Sequence, residues 1–237
     1  MTRVIAGVAG GRRLAVPPGR GTRPTSDRAR EGLFATWGSL FGPLDGARVL
    51  DLYAGSGAVG LEALSRGAAH ALLVEHDPRA VATIRANIRA LGLPGARAHA
   101  ARAERVAATP PDAAPYDLVF LDPPYAVSDA EVARILGDLR AAGWLADGAL
   151  VTVERATRGG EFAWPPGFSG LRSRRYGEGT LWYGGFAPPG ADATDTTEGA
   201  HATDATEGAH AADGVHRPHQ ARRAHGNDDA SEEGDRP

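Results

Sequence analysis

The stretch Arg48-Val-Leu-Asp-Leu-Tyr-Ala-Gly-Ser-Gly-Ala-Val-Gly60 constrains the fold more than any other part of this chain. A short apolar strand (Arg48–Leu52) runs into three glycines and straight on into a helical segment, Ala58–Ser65, closed by Gly67. The alternation then continues. Ala71–Glu75 reads as a strand, and Asp77-Pro78 caps a helix reaching Leu91, with Pro at the first helical position. Ala96–Ala100 is strand-like, a short helix lies near Arg105, and Asp117–Leu121 has the apolar character of a buried strand. A helix over Asp129–Ala142 and a strand over Ala149–Glu154 follow. Gly170–Tyr176 and Thr180–Phe186, joined through Gly177-Glu178-Gly179, read as an antiparallel hairpin. Strands alternating with helices and ending in a hairpin predict an α/β fold, with a mostly parallel, doubly wound sheet containing one reversed strand.

Before this alternation, Val4–Val8 and Arg12–Val16 are expected to pair as a hairpin through Ala9-Gly10-Gly11. Pro24-Thr25-Ser26-Asp27 then opens a helix on which Leu33, Phe34, Trp37, Leu40 and Phe41 recur at helical spacing. At the other end, residues 188–237 hold 11 acidic side chains and 4 arginines, include a nonapeptide repeated at 193–201 and 202–210, and have almost no large apolar residue. Such a segment cannot bury enough surface to offset its ordering entropy and is expected to be disordered. Five of the eight histidines fall in it, a pattern attributed to low-complexity drift rather than metal binding. The expected organisation is thus an arginine-rich hairpin and helix (1–44), a catalytic domain (45–187) and an acidic tail (188–237).

Gly55-x-Gly57-x-x-Gly60 lets backbone amides approach a ligand at a helix N-terminus. Glu75, 20 residues after Gly55 at the end of the next strand, is placed to accept both hydroxyls of a ribose. This combination fits an NAD enzyme and a methyltransferase equally, because both hold an adenosine on such a fold. Asp51 separates them: a carboxylate before the glycines repels a pyrophosphate but welcomes the cationic methionine portion of S-adenosylmethionine. Tyr53, Ser56 and His76 are expected beside the cofactor.

Asp122-Pro-Pro-Tyr125 follows directly on the apolar strand, at the same sheet edge as the glycine loop. A nucleobase amine is a poor nucleophile because its lone pair is delocalised into the ring. Two acceptors gripping its N–H bonds, the Asp122 carboxylate and the Pro123 carbonyl, would turn the nitrogen towards tetrahedral geometry. Pro123 and Pro124 have fixed φ and hold that carbonyl in place. Tyr125 offers a face for base stacking, an interaction of ~1–3 kcal/mol. The chain has no cysteine and no lysine. It therefore cannot form the thiolate adduct needed to methylate pyrimidine C5, nor a Schiff base, disulfide or thiolate metal site. Nitrogen is the plausible acceptor.

With these motifs, the chain resembles the RsmD family, bacterial enzymes that methylate the exocyclic N2 of a guanine in small-subunit ribosomal RNA. The similarity covers residues 3–186. It includes Arg23-Pro-Thr-Ser-Asp-Arg28-Ala-Arg30-Glu31-Gly-Leu-Phe34, the opening Val4-Ile-Ala-Gly7 and the closing Tyr176-Gly-Glu-Gly-Thr180. The resemblance implies a Rossmann-like class I S-adenosylmethionine-dependent fold. It places the cofactor at Asp51, Gly55, Gly57, Glu75 and the loop near Arg102, and the target guanine, of the 966 type in 16S RNA, at Asp122–Tyr125. Where the family usually has Asn or Asp to contact adenine, this chain has Arg102, so Glu104 or the Ala103 backbone would take that contact.

Seven arginines lie within residues 1–30, opposed only by Asp27. Arg12, Arg13, Arg20, Arg23, Arg28 and Arg30 are assigned to phosphate contacts, which position RNA without reading its sequence. Arg172, Arg174 and Arg175 could extend that patch. The four tryptophans are assigned to packing. No apolar run approaches the ~18 residues of a membrane span, so a cytoplasmic, metal-free monomer acting on the small ribosomal subunit or an assembly intermediate is expected. Two readings stay open beside it: DNA adenine-N6 or cytosine-N4 methylation, which shares the Asp-Pro-Pro-Tyr logic, and a nicotinamide-dependent oxidoreductase.

Overall fold

In a computed structural model that describes residues 2–17 and 26–187, the glycine-loop strand β3 (Arg48–Leu52) lies near the middle of a seven-stranded sheet. The sheet also contains β4 (His70–Glu75), β5 (Ala96–Ala100), β6 (Tyr116–Leu121), β7 (Leu145–Ala156), β8 (Phe168–Tyr176) and β9 (Gly179–Phe186), in the order β5-β4-β3-β6-β7-β9-β8. Only β9 runs against the others, paired antiparallel with both β7 and β8. Five helices pack on this sheet: α1 (Asp27–Leu40), α2 (Ala58–Ser65), α3 (Pro78–Leu91), α4 (Ala103–Ala107) and α5 (Asp129–Ala141). Arg20, Arg23 and the acidic tail lie outside the described residues.

The pleat sorts the strand residues into two cores. Val49, Leu73, Leu118 and Phe120 meet α1, α2 and α3 on one face. Leu50, Leu52, Val119, Leu121 and Val153 meet α4 and α5 on the other. Central strands buried on both sides must be apolar throughout, which is why Leu118–Leu121 shows no alternation. The order of the strands reverses between β3 and β6. The crevice beyond the carboxyl ends of these two strands is the usual ligand site of such a sheet.

Capping residues set the helix boundaries. Ser26 accepts the Ala29 amide at the start of α1, Asp77 accepts the Arg79 amide before α3, and Ser128 forms a reciprocal capping box with Glu131 at α5. Trp37 anchors α1 through a buried hydrogen bond from its indole Nε1 to Thr152 Oγ1 on β7, 2.8 Å. Among the described residues, no helix is long and apolar enough to cross a membrane, and no three His, Asp or Glu side chains converge as metal ligands.

The N-terminal hairpin forms with shorter strands than expected, β1 (Thr2–Arg3) and β2 (Arg13–Leu14). Val4 still pairs across the hairpin with Arg12 and Gly11, but Ile5, Val8 and Ala9 turn their amides to the end of α2. The Ile5 amide donates to Glu62, and the Val8 and Ala9 amides donate to the carbonyl and hydroxyl of Ser65. Gly7 lies so close to the Ser65 carbonyl that a Cβ would stand 1.8 Å from its oxygen.

Arg30 requires a correction. Its side chain is fully buried, not displayed to RNA. Its guanidinium donates to Asp27 and to the Arg3 carbonyl and sits 3.5 Å from the buried Glu62 carboxylate, which Arg66 also grips at 2.7 Å. Burial lowers the Arg30 pKa, and the Glu62 and Asp27 charges oppose that shift. Arg30 therefore ties α1 to β1 and α2. Removing one partner of a buried ion pair leaves the other charge poorly compensated. Arg30→Met is expected to destabilise the fold by about 3 kcal/mol, measured by urea unfolding. A loss of RNA affinity with unchanged stability would restore Arg30 to the RNA surface.

Candidate functional site

A cavity of about 630 Å³ opens at the carboxyl edge of β3, β4, β6 and β7. One wall is the glycine loop. Gly55 and Gly57 take positive φ, and the Gly57 amide closes the turn on the Ala54 carbonyl, 2.7 Å. A Cβ on Gly60 would stand 2.4 Å from a Leu73 methyl, so the third glycine permits close packing of α2 on β4. Tyr53 also takes positive φ, +63°, an unusual conformation for an aromatic residue. Its hydroxyl donates to Glu104 Oε1 at 2.9 Å. Tyr53, Ala54, Gly55 and Ser56 all line the cavity.

Two carboxylates stand at this end. Asp51 is 2% exposed and accepts the Gly60 amide at 3.1 Å. Burial outweighs that hydrogen bond and pushes its pKa up to about 7, with the nearby Glu75 charge adding to the shift. Glu75 accepts the Gly55 amide at 3.0 Å with one oxygen, and the His76 and Asp77 amides at 2.7 and 2.9 Å with the other. Three backbone donors hold this carboxylate in one place at the cavity wall. His76 is half exposed, with Nδ1 3.1 Å from Glu75.

The opposite side is the loop after β6. Asp122 is half-buried, and its amide lies 3.5 Å from the Leu52 carbonyl, which holds the loop beside the glycine turn. Pro123 is buried, while the Pro124 carbonyl accepts the Val127 amide at 2.9 Å and closes the turn. Tyr125 is 72% exposed at the cavity mouth. The cavity therefore joins a polar, acid-lined end that fits a cationic, ribose-bearing ligand to a rigid acceptor loop beneath an exposed aromatic ring. Asp51, Tyr53, Gly55, Ser56, Glu75, His76 and all of Asp122–Tyr125 line it.

Other expected residues fall elsewhere. Gly57 lies behind the wall as the N-cap of α2. Arg102 and Ala103 do not reach the cavity. Arg102 is the exposed residue before α4, its carbonyl accepting the Arg105 and Val106 amides, and Ala103 is buried. Their loop joins the site through the Tyr53–Glu104 hydrogen bond. Arg12, Arg13 and Arg28 are exposed, and Arg12 also donates to the Ala90 and Leu91 carbonyls at the end of α3. Glu154, Tyr176, Glu178 and Gly179 also line the cavity and were missed as site residues. The segment Tyr176-Gly-Glu-Gly-Thr180 was the available signal, and the hairpin brings it to the rim.

The Asp51 shift sets a pH dependence. A carboxyl whose pKa rises on folding contributes most below its unfolded value near 4, and that stability is lost as pH rises through about 7. Asp51→Asn never ionises. It is expected to be more stable than the native protein at pH 8, on the order of a few kcal/mol, with the gain shrinking towards pH 4, while affinity for a cationic ligand falls. Thermal melts across this range check the first effect and calorimetric titration the second.

The family model described as Conserved hypothetical protein 95 matches residues 2–185. Ribosomal RNA small subunit methyltransferase D of Escherichia coli K12 is 39% identical over 176 residues, covering 74% of this chain and 85% of the relative. The solved structure of Escherichia coli yhhF superimposes with a TM-score of 0.68 at 34% identity, covering 78% of this chain and 97% of that one. A hypothetical protein of Thermus thermophilus gives a TM-score of 0.62, also at 34% identity, over 77% and 98%. Matched along nearly its whole described length, with a seven-stranded sheet reversed only at β9, the chain belongs to the RsmD family of class I methyltransferases.

Proposed function

We propose that the protein methylates the exocyclic N2 of a guanine, of the 966 type, in 16S ribosomal RNA of the small subunit, with S-adenosylmethionine as donor. The observation that carries this reading is the shared cavity: Asp51 and Glu75 at one end and Asp122–Tyr125 at the other. The Escherichia coli relative is named for a small-subunit ribosomal RNA substrate, which supports RNA over DNA. The protein is taken to act in the cytoplasm as a monomer without a metal.

S-adenosylmethionine, when bound, supplies an electrophilic sulfonium methyl. Asp51 would face its cationic methionine portion, a pairing that favours the ionised carboxylate. Glu75 would accept from the ribose hydroxyls, already oriented by its three amide donors. Across the cavity, Asp122 and the Pro123 carbonyl would accept the two amine hydrogens of the base, leaving the nitrogen lone pair directed at the methyl. Preorganised acceptors require no rearrangement at the moment of reaction. After transfer the nitrogen is strongly acidic, so Asp122 or water takes its proton. Tyr125 would stack on the base. Arg13 and Arg28, exposed near the opening helix, would contact phosphates together with Arg20 and Arg23.

Labelled S-adenosylmethionine incubated with small ribosomal subunits is expected to place label in 16S RNA as N2-methylguanosine, with none entering duplex DNA. Asp122→Ala is expected to lower kcat by about 10²–10³-fold or more while leaving cofactor affinity within a few-fold. Label in DNA alone, or near-normal turnover by the variant, would contradict the assignment.

A further inference from the structure

The cavity's remaining wall carries an acid that the reaction above does not use. Leu121 of β6 pairs directly with Val153 of β7, and both side chains enter the core beneath α4 and α5. Asp122, the first residue past β6, and Glu154 of β7 are therefore neighbours and fall on the opposite face, towards the cavity that both line. Thr152, two residues before Glu154 on the same face, bonds to Trp37 of α1, which fixes the orientation of this part of β7. Adjacent strands are about 4.8 Å apart. Gly179 on β9 keeps the place open: a Cβ there would stand 2.7 Å from Glu154 Oε1. Glu178 also lines the cavity but sits exposed at the hairpin turn.

The geometry points to Glu154 as the residue that selects guanine, by accepting the ring N1–H while Asp122 accepts the neighbouring amine. This deepens the guanine-N2 reading and rests on it. In guanine the amine lies next to a protonated ring nitrogen, so the two groups form a run of adjacent donors. Adenine N6 and cytosine N4 instead lie next to a ring nitrogen that is an acceptor. Two carboxylates one strand apart match the donor run of guanine, and the second would face a lone pair on the other two bases. A site built to hydrogen-bond a substrate N–H rejects analogues lacking it strongly, because its own polar group is left unpaired. The relatives are named for a ribosomal substrate, and among bases methylated on an amine this pair of acids fits guanine rather than adenine or cytosine.

The test uses the full chain and small-subunit particles carrying either guanine or 2-aminopurine at the position the native enzyme methylates. 2-Aminopurine keeps the amine but has a lone pair at N1. The native enzyme is expected to prefer guanine strongly. Glu154→Gln, whose amide can turn to donate to that lone pair or to accept from N1–H, is expected to reduce the preference by about 100-fold, chiefly through gain on 2-aminopurine, with cofactor affinity unchanged. A merely structural role would lower both substrates together. If the native enzyme methylates guanine N2 and the variant keeps the native preference, this inference is overturned while the function stands. If the native enzyme does not methylate guanine N2, the functional reading fails and the inference fails with it.

Discussion

Parallel pairing of β3 with β4 on one side and β6 on the other, and of β6 with β7, underlies every other feature of this protein. In-register parallel strands end together, so the residues that follow their apolar segments arrive at one rim. The register is set by burial on both faces: a slip of one residue would exchange the two cores and turn Val49, Leu73 and Phe120 away from α1–α3. The same slip would turn Asp51, Asp122 and Glu154 out of the cavity. Core packing and the lining of the cavity are thus consequences of one constraint.

Around that rim the protein accepts local instability. Asp51 is buried and its pKa is driven up to about 7, Tyr53 holds a left-handed backbone, and Glu75 uses three amides to fix its carboxylate. A buried acid costs folding free energy when ionised, and a cation beside it would favour its ionised form. The compensating rigidity comes from outside the site. The Arg30–Glu62–Arg66 cluster ties α1 to α2, the Trp37–Thr152 bond ties α1 to the sheet, and Ile5, Val8 and Ala9 of the hairpin donate their amides to the end of α2.

Most of this was legible in the sequence because its punctuation is local. Asp77-Pro78, Ser26 before Asp27, and the glycines after β3 mark element boundaries by capping and turn chemistry alone, and the motifs at Asp51–Gly60 and Asp122–Tyr125 sit where those boundaries put them. The failures were non-local. Arg30 belongs to an arginine run, and only tertiary packing on Glu62 shows that it is buried. The short hairpin strands depend on acceptors supplied by Ser65 and Glu62, more than fifty residues away. Glu154 lies within an ordinary strand, and its place beside Asp122 comes from the register with β6 rather than from any motif.

The central claim is that donor and base meet in one cavity. The most direct measurement is a crystal structure with S-adenosylhomocysteine. The account requires the ribose hydroxyls at Glu75, the amino-acid portion at Asp51 and the sulfur facing the Asp122–Tyr125 loop. A ligand bound outside this cavity, or one whose sulfur points away from that loop, would contradict it.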